Sequence, residues 1–195
     1  MAKSSEASAG RVRIIGGSWK KSVLRFPAID ELRPTPDRVR ETLFNWLGQD
    51  LHGLGCLDLF AGSGALGFEA ASRGASRVVL VERDQGAVRA LRANAERLAG
   101  SMIEVVPGDV NGYLSVAKER FDVVFLDPPF RQNVLPEVLA RLPRVLKGGS
   151  RVYVEAPGPV DTQGGWQELR RSRAGQVSFQ LLEWSDDRSG LSGDV

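Results

Sequence analysis

The string Asp127-Pro128-Pro129-Phe130 concentrates unusual chemistry in four residues. Two consecutive prolines fix two φ angles and remove two N–H donors, so the turn presents carbonyl oxygens and one carboxylate in a rigid array. A planar base carrying an exocyclic amine needs such an array: acceptors for two N–H groups, and an aromatic face, here Phe130, on which the ring stacks. The same string also reads as an ordinary proline-rich turn. What weighs for chemistry is its place after the apolar run FDVVFL, because three other apolar runs also deliver an acid. CLDLF carries Asp58 and leads into Gly62, Gly64 and Gly67, RVVLVE ends at Glu82, and IEVV is followed by Pro107-Gly108-Asp109. The glycines let the backbone turn tightly and approach a ligand, although GSGALG also fits the dinucleotide fingerprint. A carboxylate in the place of Glu82 accepts both hydroxyls of an adenosine ribose. Asp109 either accepts from an adenine amine or caps a helix.

These residues meet only if strand ends bring them together. After Gly53, apolar runs alternate with helical segments: helices are expected near 65–73, 85–98 and Tyr113, and over 134–146 with Lys147-Gly148-Gly149 as the stop. Such alternation predicts an α/β fold, a doubly wound, mostly parallel sheet of about seven strands covered on both faces. WQELRRSRAGQVSFQLLEW lacks a helical period and predicts a C-terminal antiparallel hairpin at one edge. Ahead of the sheet, RVRIIGGSWKKSVLRFP suits a small β-hairpin arm, and Thr35-Pro36 supplies an N-cap and a first-turn proline for a helix bearing Val39, Leu43, Phe44, Trp46 and Leu47. The expected organisation is therefore a disordered tail over 1–10, a basic arm over 11–34 and a catalytic domain over 35–195.

The 195 residues suffice for about one domain. No apolar run approaches a membrane span, the first residues lack the apolar core of a secretory signal, and Cys56 is the single cysteine, so a cytoplasmic protein is expected. His52 and Cys56 have no metal-ligand companions, and no metal is expected. The net charge of +2 divides unevenly: residues 1–40 hold nine Lys and Arg against four Asp and Glu, the remainder 17 against 20. That basic start, with Arg11, Arg13, Lys20, Lys21, Arg25, Arg33, Arg38 and Arg40, suggests a local polyanion contact, the bland reading being a solvated terminus. Trp19, set among Lys20, Lys21 and Arg25, either packs or touches RNA.

The motif [DN]-P-P-[FYW] behind a glycine-rich loop resembles class I methyltransferases of exocyclic amines. More narrowly, RIIGGSWKKSVLRFP, LRPTPDRVRETLFNWL, CLDLFAGSGALGFEAASRGA and FLDPPF, in this order, resemble the RsmD family. The resemblance covers Arg11 to Trp184. It implies methyl transfer from S-adenosyl-L-methionine to the N2 amine of a guanine in 16S rRNA, within a 30S subunit or an assembly intermediate, by a monomer. It also implies roles: Asp58, Gly62 and Gly64 around the methionine part of the cofactor, Glu82 at the ribose, Asp109 at the adenine, and Asp127, Pro128 and Phe130 at the guanine. Three competitors have some support. A nicotinamide oxidoreductase would use GSGALG and Glu82 but leaves DPPF unexplained. A non-catalytic RNA-binding assembly factor needs no acid at four strand ends, and an N6-adenine methyltransferase is compatible with DPPF.

Overall fold

Short apolar runs with no polar face must be covered on both sides, and in the computed structural model, which describes residues 10–27, 34–129, 133–161 and 164–185, they are. Strands β3 (Gly55–Asp58), β4 (Arg77–Glu82), β5 (Ile103–Pro107), β6 (Phe121–Leu126) and β7 (Leu146–Ala156) pair in parallel, joined at one side by β8 (Trp166–Ala174) and β9 (Val177–Trp184). The order across the seven-stranded sheet is β5-β4-β3-β6-β7-β9-β8. From β3 the chain winds outward first to one side and then, through β6, to the other. The topological switch point therefore lies between β3 and β6, where ligands of doubly wound sheets bind. The C-terminal hairpin forms as expected, but its second strand, β9, inserts against β7, so β9 alone runs against the others and β8 takes the edge.

Alternate residues of each strand serve two cores. Cys56, Val78, Leu80, Val123 and Phe125 face α1 (Asp37–Leu47), α2 (Ala65–Ser72) and α3 (Gln85–Arg97), while Leu57, Val79, Val81, Val124 and Leu126 face α4 (Val110–Val116) and α5 (Leu135–Arg141). The helix expected over 134–146 is shorter. It ends at Arg141 and tightens into a 3-10 turn, Leu142–Val145, because Pro143 has no N–H to continue the α ladder. Gly148 and Gly149 are not a helix stop; they lie in the irregular first part of β7, where Phe121 pairs with Leu146 but Val123 with Arg151.

Strands β1 (Gly10–Arg13) and β2 (Val23–Phe26) form the expected hairpin, which is docked on the body. Val12, Ile14, Leu24 and Phe26 are buried in the same core as α1 to α3. The Asn94 side chain receives the Arg25 N–H and donates to the Arg25 carbonyl, and Glu69, wholly buried, accepts from the Ile15 N–H. Arg40 and Arg73 close on Glu69 at 3.2 and 2.8 Å, and Arg40 also donates to the Arg13 carbonyl and Asp37. The expected tail and the end of the chain lie, apart from Gly10, outside the described residues.

Candidate active site

The parallel strands end on one rim, and their registers bring the predicted acids to it. Asp58 closes β3 opposite Phe125, two residues before Asp127 on the neighbouring strand. After β3 the chain turns through Gly62 (φ +51) and Gly64 (φ +80). Glycine is required at Gly64, because a Cβ there would stand 2.6 Å from both Leu91 and Phe68. The Glu82 carboxylate fixes this loop: Oε2 accepts the Gly62 N–H at 2.8 Å and Oε1 the Asp84 N–H at 2.7 Å. Asp58, 2 % exposed, accepts from the Phe60 N–H, and burial, with the nearby charge of Glu82, pushes its carboxyl up to about 7. A buried acid held neutral by desolvation suits a ligand that brings a positive charge to it. Asp109 does cap α4, accepting the Gly112 N–H at 2.8 Å through Oδ1. A carboxylate keeps further lone pairs for an amine, so the cap and a ligand contact are compatible.

Beside this cradle lies a second acid pair. Leu126 is in register with Val154, which sets Asp127 level with Glu155 at the ends of β6 and β7. Thr35 stands by this pair: its hydroxyl donates to Asp127 Oδ2 at 3.3 Å, and its closeness to Glu155 favours the charged form of that acid. It caps nothing: the N-cap position of α1 is Pro36, without a side-chain cap, and the Thr35 hydroxyl is spent on Asp127. The buried Tyr153 hydroxyl donates to Glu155 Oε1 at 2.9 Å. Burial, then the charges of Glu155 and Asp58, hold the Asp127 carboxyl well above the usual range, against the Thr35 hydrogen bond; burial likewise raises Glu155. A cavity of about 680 Å³ opens here, lined by Pro128, Asn133, Leu139, Glu155, Pro157 and Trp166 among others, a size that suits a small planar ligand. Phe130 lies outside the described residues.

Glu155 and Thr35 were not among the sequence candidates. RVYVEA repeats the pattern of RVVLVE, an apolar run closed by an acid, so Glu155 was within reach of the same rule. Thr35 was masked by its resemblance to a helix cap. Cys56 is buried and its thiol is pushed up to about 12, chiefly by burial, so it is no nucleophile. Among the described residues no group of three His, Cys, Asp or Glu could hold a metal, and no helix is long and apolar enough to cross a membrane.

The basic candidates separate by burial. Arg11, Arg13, Lys20, Lys21, Arg25 and Arg38 are exposed. Arg11 and Arg25 are cross-strand partners on the outer face of the β1–β2 hairpin, an arrangement of like charges that costs stability and that an anion would relieve. Arg13 shares that face with an ion pair to Asp37. Arg40 must be removed from the RNA-contact set: its guanidinium is wholly buried among Glu69, Asp37 and two carbonyls. Trp19 is also a packing residue, its ring 6.4 Å from Phe68 and seated over Gly100, while its backbone N–H donates to Ser72 Oγ. Arg33 lies outside the described residues.

Known proteins resemble the chain over nearly its whole length. The family described as Conserved hypothetical protein 95 matches residues 12–183. Ribosomal RNA small subunit methyltransferase D of Escherichia coli is 39% identical over 188 residues, 94% of this chain and 95% of that protein. The protein of the same name from Haemophilus influenzae is 40% identical over 182 residues, 89% and 94% of the two chains. The solved structure of Escherichia coli yhhF superposes with a TM-score of 0.81 at 39% identity, covering 90% of this chain and 99% of that one.

Proposed function

Because this chain belongs to the RsmD family, described as Conserved hypothetical protein 95, we propose that its crevice methylates the N2 amine of a guanine in 16S rRNA. The chain is an S-adenosylmethionine-dependent rRNA methyltransferase. The observation that carries the finer reading is the pairing of β3 with β6, which sets the cradle of Asp58, Gly62 and Glu82 directly beside Asp127-Pro128. Asp58 and the glycine turn fit the cationic amino-acid part of the cofactor, Glu82 fits its ribose hydroxyls, and Asp109 its adenine amine. Bound there, the cofactor supplies a methyl group made electrophilic by its sulfonium.

The protein's task is to make a poor nucleophile react. The guanine N2 lone pair is delocalised into the ring. Hydrogen bonds from its two protons to the Asp127 carboxylate and the Pro128 carbonyl would favour the pyramidal nitrogen and free its lone pair for transfer. Orientation and preorganised acceptors supply most of the acceleration. As the N–C bond forms and the S–C bond breaks, the nitrogen must lose one proton. Asp127, with its raised affinity for a proton, receives it directly or passes it to water. The base must leave any stack to enter this cavity, so an unpaired nucleotide of a small subunit or assembly intermediate is the natural substrate, met by a monomer. The exposed basic face of the β1–β2 hairpin, Lys20, Lys21 and Arg38 hold the surrounding phosphates.

The test is transfer of isotopic methyl from S-adenosylmethionine to small subunits and their RNA from cells lacking this protein, with the labelled nucleoside identified after digestion. Label in N2-methylguanosine at one position is expected. Label in N6-methyladenosine, or none, contradicts the proposal.

A further inference from the structure

We propose that Glu155 reads the N1–H of the target base and so makes the cavity select guanine over adenine and cytosine. The inference rests on the N2 reading above. An Asp-Pro-Pro turn sees only an amine, and three bases carry one. The atom beside the amine differs: guanine offers a second donor, N1–H, whereas adenine and cytosine offer a ring nitrogen lone pair. A carboxylate on the wall next to Asp127 therefore binds guanine through two adjacent donors and meets the other two bases lone pair to lone pair.

Glu155 occupies that place. It is level with Asp127 across the β6–β7 pair, one strand over, and lines the same cavity as Pro128. It is held rigidly: 4 % exposed, its Oε1 bonded by the Tyr153 hydroxyl, beside Asp127 and the Thr35 hydroxyl that donates to Asp127. One donor does not exhaust a carboxylate, which has about four acceptor sites. Neither Tyr153 nor Thr35 brings a positive charge, so a further donor from the base is what the buried acid gains on binding.

The experiment compares guanine with 2-aminopurine at the mapped target position of an rRNA completed by ligating a synthetic segment. 2-Aminopurine keeps the amine but has a lone pair at N1. The wild-type protein is expected to prefer guanine by about a hundredfold in kcat/KM, as for a hydrogen bond to a charged group lost in a buried site. In Glu155→Gln the side-chain amide can donate to N1 of 2-aminopurine, and the preference should fall to within a few fold. 2-Aminopurine also lacks O6, so this rescue is the decisive arm. An unchanged preference in Glu155→Gln, with cofactor affinity intact, overturns the role. If that variant does not bind cofactor, 1-methylguanine on the wild-type protein replaces it: transfer at the guanine rate overturns the role, and loss of transfer supports it. Equal wild-type transfer to guanine and 2-aminopurine overturns this inference alone, whereas no transfer to guanine overturns the N2 reading and this inference with it.

Discussion

A carboxyl group that titrates near neutrality is a measurable consequence of burial, and Asp58 is such a group, at about 7. Desolvation disfavours its charged form, and a cationic ligand favours it, so cofactor binding should drive a proton off Asp58. The sign follows directly. Below pH 7 the acid is increasingly neutral in the free protein, and ionising it costs about tenfold in affinity per pH unit. S-adenosylmethionine should therefore bind roughly tenfold more weakly at pH 6 than on the plateau reached as pH rises past 7. Calorimetry between pH 5.5 and 7.5 would show this, with Asp58→Asn weaker throughout and flatter in pH. A pH-independent affinity in the wild-type protein would separate Asp58 from the cofactor.

At the scale of elements, one buried acid joins the β1–β2 hairpin, α1 and α2. Glu69 takes the Ile15 N–H, the Arg40 guanidinium and the Arg73 guanidinium, all in the interior. Removing it leaves the buried Arg73 without a carboxylate and takes from Arg40 one of its two, the other being Asp37, for which about 3–5 kcal/mol is the expected loss. Urea unfolding of Glu69→Ala should show that loss, and a change below about 1 kcal/mol would mean the network contributes little. The network also shows where sequence reasoning stops. Helices α2 and α3 and strands β3, β4 and β6 were legible because their signals are local: a glycine turn, an apolar run, a Gly or Pro stop. Arg40 looked like one of eight surface cations, since nothing near it in sequence reports that Glu69 and the Arg13 carbonyl close over it. The insertion of β9 between β7 and β8 is likewise a long-range pairing choice with no local mark. At the site, Asp58, Glu82 and Asp127 were readable as acids at strand ends, whereas the tie from Thr35 to Asp127 spans 92 residues of sequence.

Over the whole molecule, charge and chemistry sit on different surfaces that one substrate can bridge. The crevice is ringed by acids, and Arg11, Arg13 and Arg25 share the outer face of the β1–β2 hairpin, whose inner side belongs to the core. Deleting the hairpin would therefore open the core as well as remove its charge, and charge reversal on its outer face is the cleaner probe. Arg11→Glu with Arg25→Glu should leave cofactor affinity unchanged, weaken RNA binding and lower the salt slope of log K by about two. An unchanged slope would make the face structural only. The central claim, that Asp127 serves transfer and not cofactor capture, has the most direct test: cofactor affinity and single-turnover methyl transfer measured together in Asp127→Ala and Asp127→Asn. The account predicts near-normal affinity in both, transfer slowed by about a hundredfold in Ala, where an oriented transition-state hydrogen bond is gone, and partial activity in Asn, whose amide oxygen still accepts from the amine. Near-normal transfer in a folded Asp127→Ala protein would contradict it.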